Sequence, residues 1–509
     1  MKKIGLFYLL LFSFVFCAGS FAKKWKSEWV YYGSDKKLHY KADAQGNVIP
    51  DFSRVGYKKG AVPPKVPVVK VLAPGVGDDT ERIQKAIDEV AKKPLNKKGF
   101  RGAILFKAGE YQIGKTIRIS ASGIVLRGAG ASETGTVFVA TAAKQYDLIS
   151  IQGRGSRSLL KDTKVKIAQA YVPVGAKVLT LKSTKGLKRG DSIVLFRPST
   201  TNWIHDLKMD QLPPYPNGGK KSHQWGAKNP KEYDLYFERT ILGIKGNQIT
   251  IDQPVVMPLE NKYGGGFVVK YRFPGRISQC GVEDLLLKSV YASETDETHG
   301  WNAIQINAAK DCWVRNVTSK YFGYSLVNVQ RSSKYISVLS SRCLDPKSII
   351  TGGRRYSFCI NGQMCLVTFC ESRHGRHDFV TGARVAGPNV FSHCKATLSH
   401  SDSGPHQRWS MGTLYDKVET SHSIKVQNRS YYGTGHGWAG TVQILWNCTA
   451  QNLICESPPV TGKNYCIACK GKKRRPRFKT DNTLDEIWDG HNEKDPEIDS
   501  LYKAQRKER

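Results

Sequence analysis

The sequence predicts an all-β chain wound as a parallel β-helix, and three features carry that expectation. Short alternating strand-like runs recur in the C-terminal half: "CWVRNVTS" (312–319), "YISVLSSRC" (335–343), "CLVTFCES" (365–372), "VFSHCKAT" (390–397), "IKVQNRS" (424–430) and "VQILWNCT" (442–449). Their starts are about 18 to 34 residues apart with no helical pattern between them, the mark of strand-only coils stacking on one another. One amphipathic helix precedes the strands, and an open coil end is an unpaired sheet edge that such a helix can cover.

The elements follow in order. Residues 1–22, "MKKIGLFYLLLFSFVFCAGSFA", combine two lysines, an apolar run and a small-residue end. That is the pattern of a signal peptide cleaved after Ala22, so the expected location is secreted or periplasmic, with a lipoprotein through Cys17 as the weaker alternative. Residues 23–72 form a polar, aromatic-bearing lead-in. In 73–159 the stretch "GVGDDTERIQKAIDEVAKK" offers Asp78 or Asp79 as a cap and places Ile83, Ala86, Ile87 and Val90 on one face. The first coils follow in "GAILFKAGEYQIGKTIRISASGIVLRGAG". Residues 160–262 carry their own strands and a Trp-, Pro- and Tyr-rich middle, and read as an inserted β subdomain. Residues 263–469 are the main β-helix, and 470–509 a basic, then mixed tail.

Charge narrows the partner. The chain has 78 Lys+Arg against 43 Asp+Glu, a formal +35, which Lys2 and Lys3 of the leader hardly alter. An excess of this size attracts polyanions over long range. For an exported chain the expected partner is an acidic polysaccharide and not nucleic acid. No stretch after the leader is long and apolar enough to span a membrane, and a monomer is expected. Eleven cysteines remain beyond Cys17; most fall in strand-like runs, where Cys acts as a small buried hydrophobe. Cys466 and Cys469 form a lone CxxC, read as structural and open to a disulfide.

Two stretches concentrate chemistry: "SRHGRHDFVTG" (372–382) and "SDSGPHQRWSMGTLYD" (401–416). Written in one register, "GYSLVNV", "RYSFCIN", "RHDFVTG" and "RWSMGTL" place Tyr324, Tyr356, His377 and Trp409 in one file and Arg355, Arg376 and Arg408 in the next. Coils about 4.8 Å apart would make these files a ladder. Like charges so stacked repel, which an anionic chain lying across them would relieve by bidentate pairing.

"GVGDDTERIQKAID", "GAILFKAGEYQI" and "GIVLRGAG" together resemble the N-terminal signature of the pectate-lyase-like superfamily. "GNVIPDFSRVGY" and "SLYKAQRKER" resemble its secreted bacterial polysaccharide lyases. The resemblance implies that the β-helix is right-handed. It leaves the activity among lyases, hydrolases and phage adhesins, and neither the pectate-lyase calcium and arginine motif nor the paired aspartates of polygalacturonases is present.

Site residues are therefore read from their chemistry. β-Elimination from a uronate polymer needs a cation on the carboxylate, a base for the C5 proton and an acid for the departing oxygen. Arginine, histidine and tyrosine suit these roles. His377 or His406 is the expected base, Arg376 and Arg408 the carboxylate clamp, and Tyr415 the proton donor. Arg355, Tyr356, Arg373, His374, Arg384 and Trp409 are expected to bind substrate; His436 and Trp438 of "GTGHGWAG" could extend the groove, although a Gly-rich turn is the simpler account. No metal-ligand spacing is evident and no cofactor is required, which leaves a divalent cation such as calcium open. Two alternatives stand beside the lyase. A glycoside hydrolase on an anionic or sulfated polymer would draw on Asp378, Asp402 and Asp416. A non-catalytic glycan-binding β-helix would need the arginine and aromatic files but not the histidines.

Overall fold

The computed structural model describes residues 24–216, 221–226, 228–478, 486–493 and 495–509; the leader read at 1–22 lies outside them. The chain is a right-handed parallel β-helix. Among the described residues, twenty-eight strands join in one stack whose neighbours pair in parallel from coil to coil. One face runs through Gly102–Phe106, Ile124–Gly130, Gly281–Ser289, Ala309–Lys320, Lys334–Leu339, Leu366–Thr368, Ala386–Ser392, Ser410–Asp416, Gly440–Trp446 and Tyr465–Ile467. A second runs from Arg342–Leu344 through Glu371–Arg373, Lys395–Thr397, Glu419–Val426 and Thr449–Cys455 to Lys470–Lys473. A third runs from Ile117–Ile119 through Tyr146–Gln152, Gly300–Asn307, Ser325–Val329, Phe358–Ile360 and Phe379–Thr381 to Asp402–Pro405. There it changes partner: Asp402 pairs with Ser423 and Ser403 with Ile424, on the second face.

Inward-pointing residues form the core, and each buried Val, Leu, Ile or Phe contributes about 1.5–3 kcal/mol. Aromatic rings stack from coil to coil inside, Phe358 on Phe379 at 5.4 Å and Phe391 on Tyr415 at 5.2 Å. Cys370, Cys394, Val418 and Cys448 share one interior file, each carbonyl accepting from the amide that opens the next strand. All eleven cysteines among the described residues are buried free thiols, so Cys466 and Cys469 pack as apolar side chains and do not form the disulfide left open by their spacing.

The helix Thr80–Ala91 caps the N-terminal end and buries Ile83, Ala86, Ile87 and Val90 against the first coils. Asp78, not the preceding-position Asp79, supplies the side-chain bond, its Oδ1 accepting from the Thr80 amide at 2.8 Å. The lead-in and the last residues pack together against the Ser410–Asp416 face. Asp416 there accepts from the Leu501 amide (2.9 Å) and the Ser500 hydroxyl (2.6 Å), anchoring the terminal helix Leu501–Lys507. No helix among the described residues is long and apolar enough to cross a membrane.

Between Ser158 and Arg272 the chain leaves the β-helix for an antiparallel sheet, wider at both ends than the 160–262 read from the sequence. Its aromatic underside, Trp203, Trp225 and Tyr233, packs on Ala386, Trp409, Met411 and Trp438. A second tie is electrostatic. Glu238, 2% exposed, accepts from Arg276 (2.7 and 2.8 Å), Arg157 (3.2 Å) and the Tyr271 hydroxyl (2.6 Å), and lies 2.9 Å from Lys334 of the β-helix. Burial pushes its carboxyl up, but these cations outweigh burial and hold it well below the usual range. Glu238→Ala would leave Arg276 and Lys334, whose side chains are largely buried, without a carboxylate partner. A loss of about 3–5 kcal/mol is expected, seen as a lowered urea midpoint monitored by the Trp fluorescence of the subdomain interface.

Candidate functional site

The site lies where the third face meets the second. Six rings from successive coils form a file. Trp301 stacks on Tyr324 (6.2 Å between centroids) and Tyr324 on Tyr356 (5.1 Å). Tyr356 meets His377 edge-on (4.9 Å), His377 meets His406 (4.5 Å) and His406 meets His436 (5.0 Å). The first half of the file is aromatic and the second half imidazole.

A cleft of about 620 Å³ opens over the imidazole half. Tyr356, Arg376, Asp402, His406, Lys425, Arg429 and His436 line it, with Gly352 and Gly353 on one rim, Tyr432 to Thr434 on the other, and Tyr215 of the inserted subdomain beside them. Its floor is well tied. Arg429 Nη1 donates to Asp402 Oδ2 at 2.8 Å, and His377 Nδ1 donates to the Asp402 carbonyl at 2.7 Å. The Tyr356 hydroxyl and His406 Nε2 share a hydrogen bond of 2.9 Å. His377 Nε2, His406 Nδ1 and His436 Nδ1 are buried with no hydrogen-bond partner among the described residues.

These surroundings set the protonation states. Burial pushes the His377 imidazole down to about 4, although Asp402 pulls the other way. Burial, then His377 and Arg429, holds His406 well below the ordinary imidazole range; burial with Arg429 and Arg408 lowers His436 to about 3. All three are neutral at pH 7 and able to accept a proton. Burial pushes the Tyr356 phenol up to about 12. Burial also opposes ionisation of Asp402, yet Arg429 and His377 hold it well below the usual carboxylate range.

Of the residues read from the sequence, Arg376, His406, Tyr356 and His436 line the cleft, and His377 lies directly beneath it, 1% exposed. Others are placed elsewhere. Tyr415 is fully buried in the interior stack on Phe391, so it is no proton donor for this cleft. Trp409 is sealed beneath the inserted subdomain, edge-on to Trp203 at 5.2 Å, and presents no sugar-binding face. Both errors share one cause. "RWSMGTL" pairs with Ala386–Ser392 on the first face, whereas "RHDFVTG" pairs with Asp402–Pro405 on the third. The ring beside His377 is therefore His406.

The arginines divide in the same way. Arg355 turns inward, 5% exposed, and donates to the Ser348 carbonyl and, at 3.2 Å, to the Glu294 carbonyl. Arg408 braces the opposite rim through the Thr434 carbonyl at 3.1 Å. Arg384 lies over Tyr233 at 5.1 Å, with Glu232 at 3.7 Å. Arg373 pairs with Asp345, and His374 stacks near His400 (5.7 Å), both in a separate depression beyond the 350s loop. Of the carboxylates considered for hydrolysis, Asp378 is bound by Ser357 and Ser372 and Asp416 anchors the terminal helix, which leaves Asp402 alone at the cleft.

Sequence reasoning missed Lys425, Gln427 and Arg429. They alternate in "IKVQNR", the period-two signature of one strand face, and three consecutive polar positions on that face were the available signal. Among the described residues no group of three or more His, Cys, Asp or Glu side chains converges as a metal-ligand set.

No protein-family model matches the chain, and no curated protein sequence matches it. Solved structures do. The Gp54 tailspike of Acinetobacter baumannii bacteriophage AP22, in complex with A. baumannii capsular saccharide, is 11% identical with a TM-score of 0.38, over 82% of this chain and 73% of that one. The DFA-IIIase from Arthrobacter chlorophenolicus A6 is 8% identical with a TM-score of 0.35, over 86% and 88%. The catalytic domain of a GH87 alpha-1,3-glucanase is 9% identical with a TM-score of 0.35, over 85% and 59%. Likeness at this level says nothing about chemistry.

The depressed imidazoles predict acid sensitivity. Between pH 6.5, where a free imidazole titrates, and the folded value of about 4 for His377, the unfolded chain binds the proton and the folded chain does not. Stability therefore falls as pH falls through this window, by about 1.4 kcal/mol per pH unit for each such group. His377→Gln removes one such group, and urea unfolding midpoints measured between pH 4 and 7 are expected to show a correspondingly shallower slope.

Proposed function

We propose that this chain is a secreted polysaccharide lyase of the pectate-lyase-like superfamily, cleaving a uronate-containing and preferentially sulfated polysaccharide, such as a glycosaminoglycan, by β-elimination. The observation that carries this is the Tyr356–His406 hydrogen bond in a cation-lined cleft whose one carboxylate is already bound by Arg429.

Arg376 and Lys425 line the cleft and have no carboxylate partner among the described residues. In this reading they grip the uronate carboxylate, stabilising the negative charge that develops as C5 loses its proton. The proton passes to the Tyr356 oxygen as the phenol proton moves to neutral His406 Nε2. The C4–O bond breaks as the C4=C5 double bond forms. The imidazolium then returns its proton through Tyr356 to the departing oxygen, so the pair ends as it began. Low-pKa histidines suit this cycle, since a base must be neutral to start it and a strong acid to finish it. His377 is a positioning residue, holding Asp402 and His406 from below. Hydrolysis by the two-carboxyl route is less well supported: Asp402 stands alone and is held ionised by Arg429, where a general acid needs the opposite shift.

Incubation with chondroitin sulfate, dermatan sulfate, hyaluronan, alginate, pectate and ulvan is expected to yield, for at least one, the ultraviolet absorbance of an unsaturated uronate. New reducing ends without that absorbance would mean hydrolysis, and retention on a glycan column with neither signal would mean a binding module. Tyr356→Phe and His406→Ala are each expected to lower kcat by about 10²–10⁴ with circular dichroism unchanged. Because burial and the neighbouring His377 and Arg429 hold His406 low, the acid limb of the rate profile is expected below pH 6.5, the free imidazole value. An acid limb at or above it would remove His406 from the role.

A further inference from the structure

Residues 470–478, "KGKKRRPRF", read from the sequence as a basic tail, form the last rung of the second face and then run to the rim of the cleft. Strand Lys470–Lys473 continues the sheet that carries Lys425: Ser423 pairs with Asn452 and Asn452 with Lys472. Two rungs, about 10 Å, separate Lys472 from the strand entering the cleft. Beyond it, Arg477 lies over the Tyr432 ring at 5.4 Å, and Phe478 packs edge-on against Tyr431 (4.8 Å) and Tyr432 (5.0 Å). Tyr432 is itself a wall of the cleft, so the segment joins the site without a break.

Among the described residues, much of the charge on this segment has no carboxylate partner. Lys472, Lys473, Arg474, Arg475 and Arg477 are all exposed. Lys473 has Glu486 at 3.1 Å and Lys470 has Asp495 at 4.0 Å, while Arg474 donates to the Asn452 amide oxygen at 2.7 Å. Lys472 and Arg475 have no carboxylate partner among the described residues. Like charges so close on one sheet edge repel, and the contacts of Arg477 and Phe478 tie the end of the segment to Tyr431 and Tyr432 at the cleft rim.

We infer that residues 472–477 are an extended subsite for the anionic groups of the polysaccharide where it leaves the cleft toward the C-terminal end of the β-helix. The inference rests on the polysaccharide reading above and adds a direction and a length requirement. A chain long enough to span cleft and strip gains the added contacts, and a short oligosaccharide does not. Exposed charges of this kind act through long-range attraction and are screened by salt.

The test compares wild type with Lys472→Gln/Arg475→Gln, neither residue being part of the proton-handling machinery, on tetra- and dodecasaccharide fractions of the six polymers named above. The double variant is expected to raise KM for dodecasaccharide roughly three- to tenfold, with kcat and the tetrasaccharide KM unchanged and the dodecasaccharide advantage abolished in high salt. Equal KM values for the variant and wild type on both lengths would overturn the subsite and leave the lyase standing. An equal loss on both lengths would assign the residues to the cleft and also overturn it. Equally strong, length-independent loss of binding to a short duplex DNA would make the strip a general polyanion surface, against the inference. Wild type that neither binds nor cleaves any of the polymers would remove the polysaccharide reading and the subsite together.

Discussion

Every feature of this molecule depends on coils that stack through parallel backbone hydrogen bonds at one interstrand spacing. The spacing is imposed by the peptide group and leaves the side chains only two options, inward or outward, at each strand position. Inward positions must fill a continuous core, and they do so with Ile, Val, Phe and small thiols in files. Outward positions are free of that demand. Outward residues at or beside the strands of successive coils, from Trp301 to His436, therefore bring a row of rings into contact, drawn from residues more than a hundred apart in sequence.

That row changes character where the third face transfers its pairing to the second. The transfer places Asp402 beside the strand that carries Lys425 and leads directly into Gln427 and Arg429, and so brings the buried Asp402–Arg429 pair under the imidazoles. A buried pair is weak evidence for stability, but its effect on its neighbours is plain. Burial, then His377 and Arg429, makes imidazolium unfavourable at His406, and burial with Arg429 does so at His436, while at His377 Asp402 partly offsets the effect of burial. The inserted subdomain adds the last wall and covers the flank that would otherwise expose Trp409 and Trp438.

The fold was legible because period-two runs without helical interludes admit few architectures, and the Ile83 face of the capping helix was readable from spacing alone. Half of the ring file, Tyr324, Tyr356 and His377, was legible for the same reason. The fourth place was not. A β-helix coil has more than one face, and "RHDFVTG" and "RWSMGTL" look alike although their strands lie on different faces. Trp409 is hidden by a subdomain some 150 residues earlier, whose docking no local pattern reports. Arg355, Arg376 and Arg408 are equivalent in sequence, and each donates to a nearby carbonyl, of Ser348, Gly352 and Thr434 respectively; only the folded loops leave Arg376 in the cleft lining.

The interior files of thiols carry a different consequence. All eleven described cysteines are buried and none is cross-linked, and burial raises most of those thiols away from the reactive thiolate. A cysteine-reactive dye would stay dark on the intact molecule and light up coil by coil as the stack comes apart. The protein thus carries its own record of where its unravelling begins.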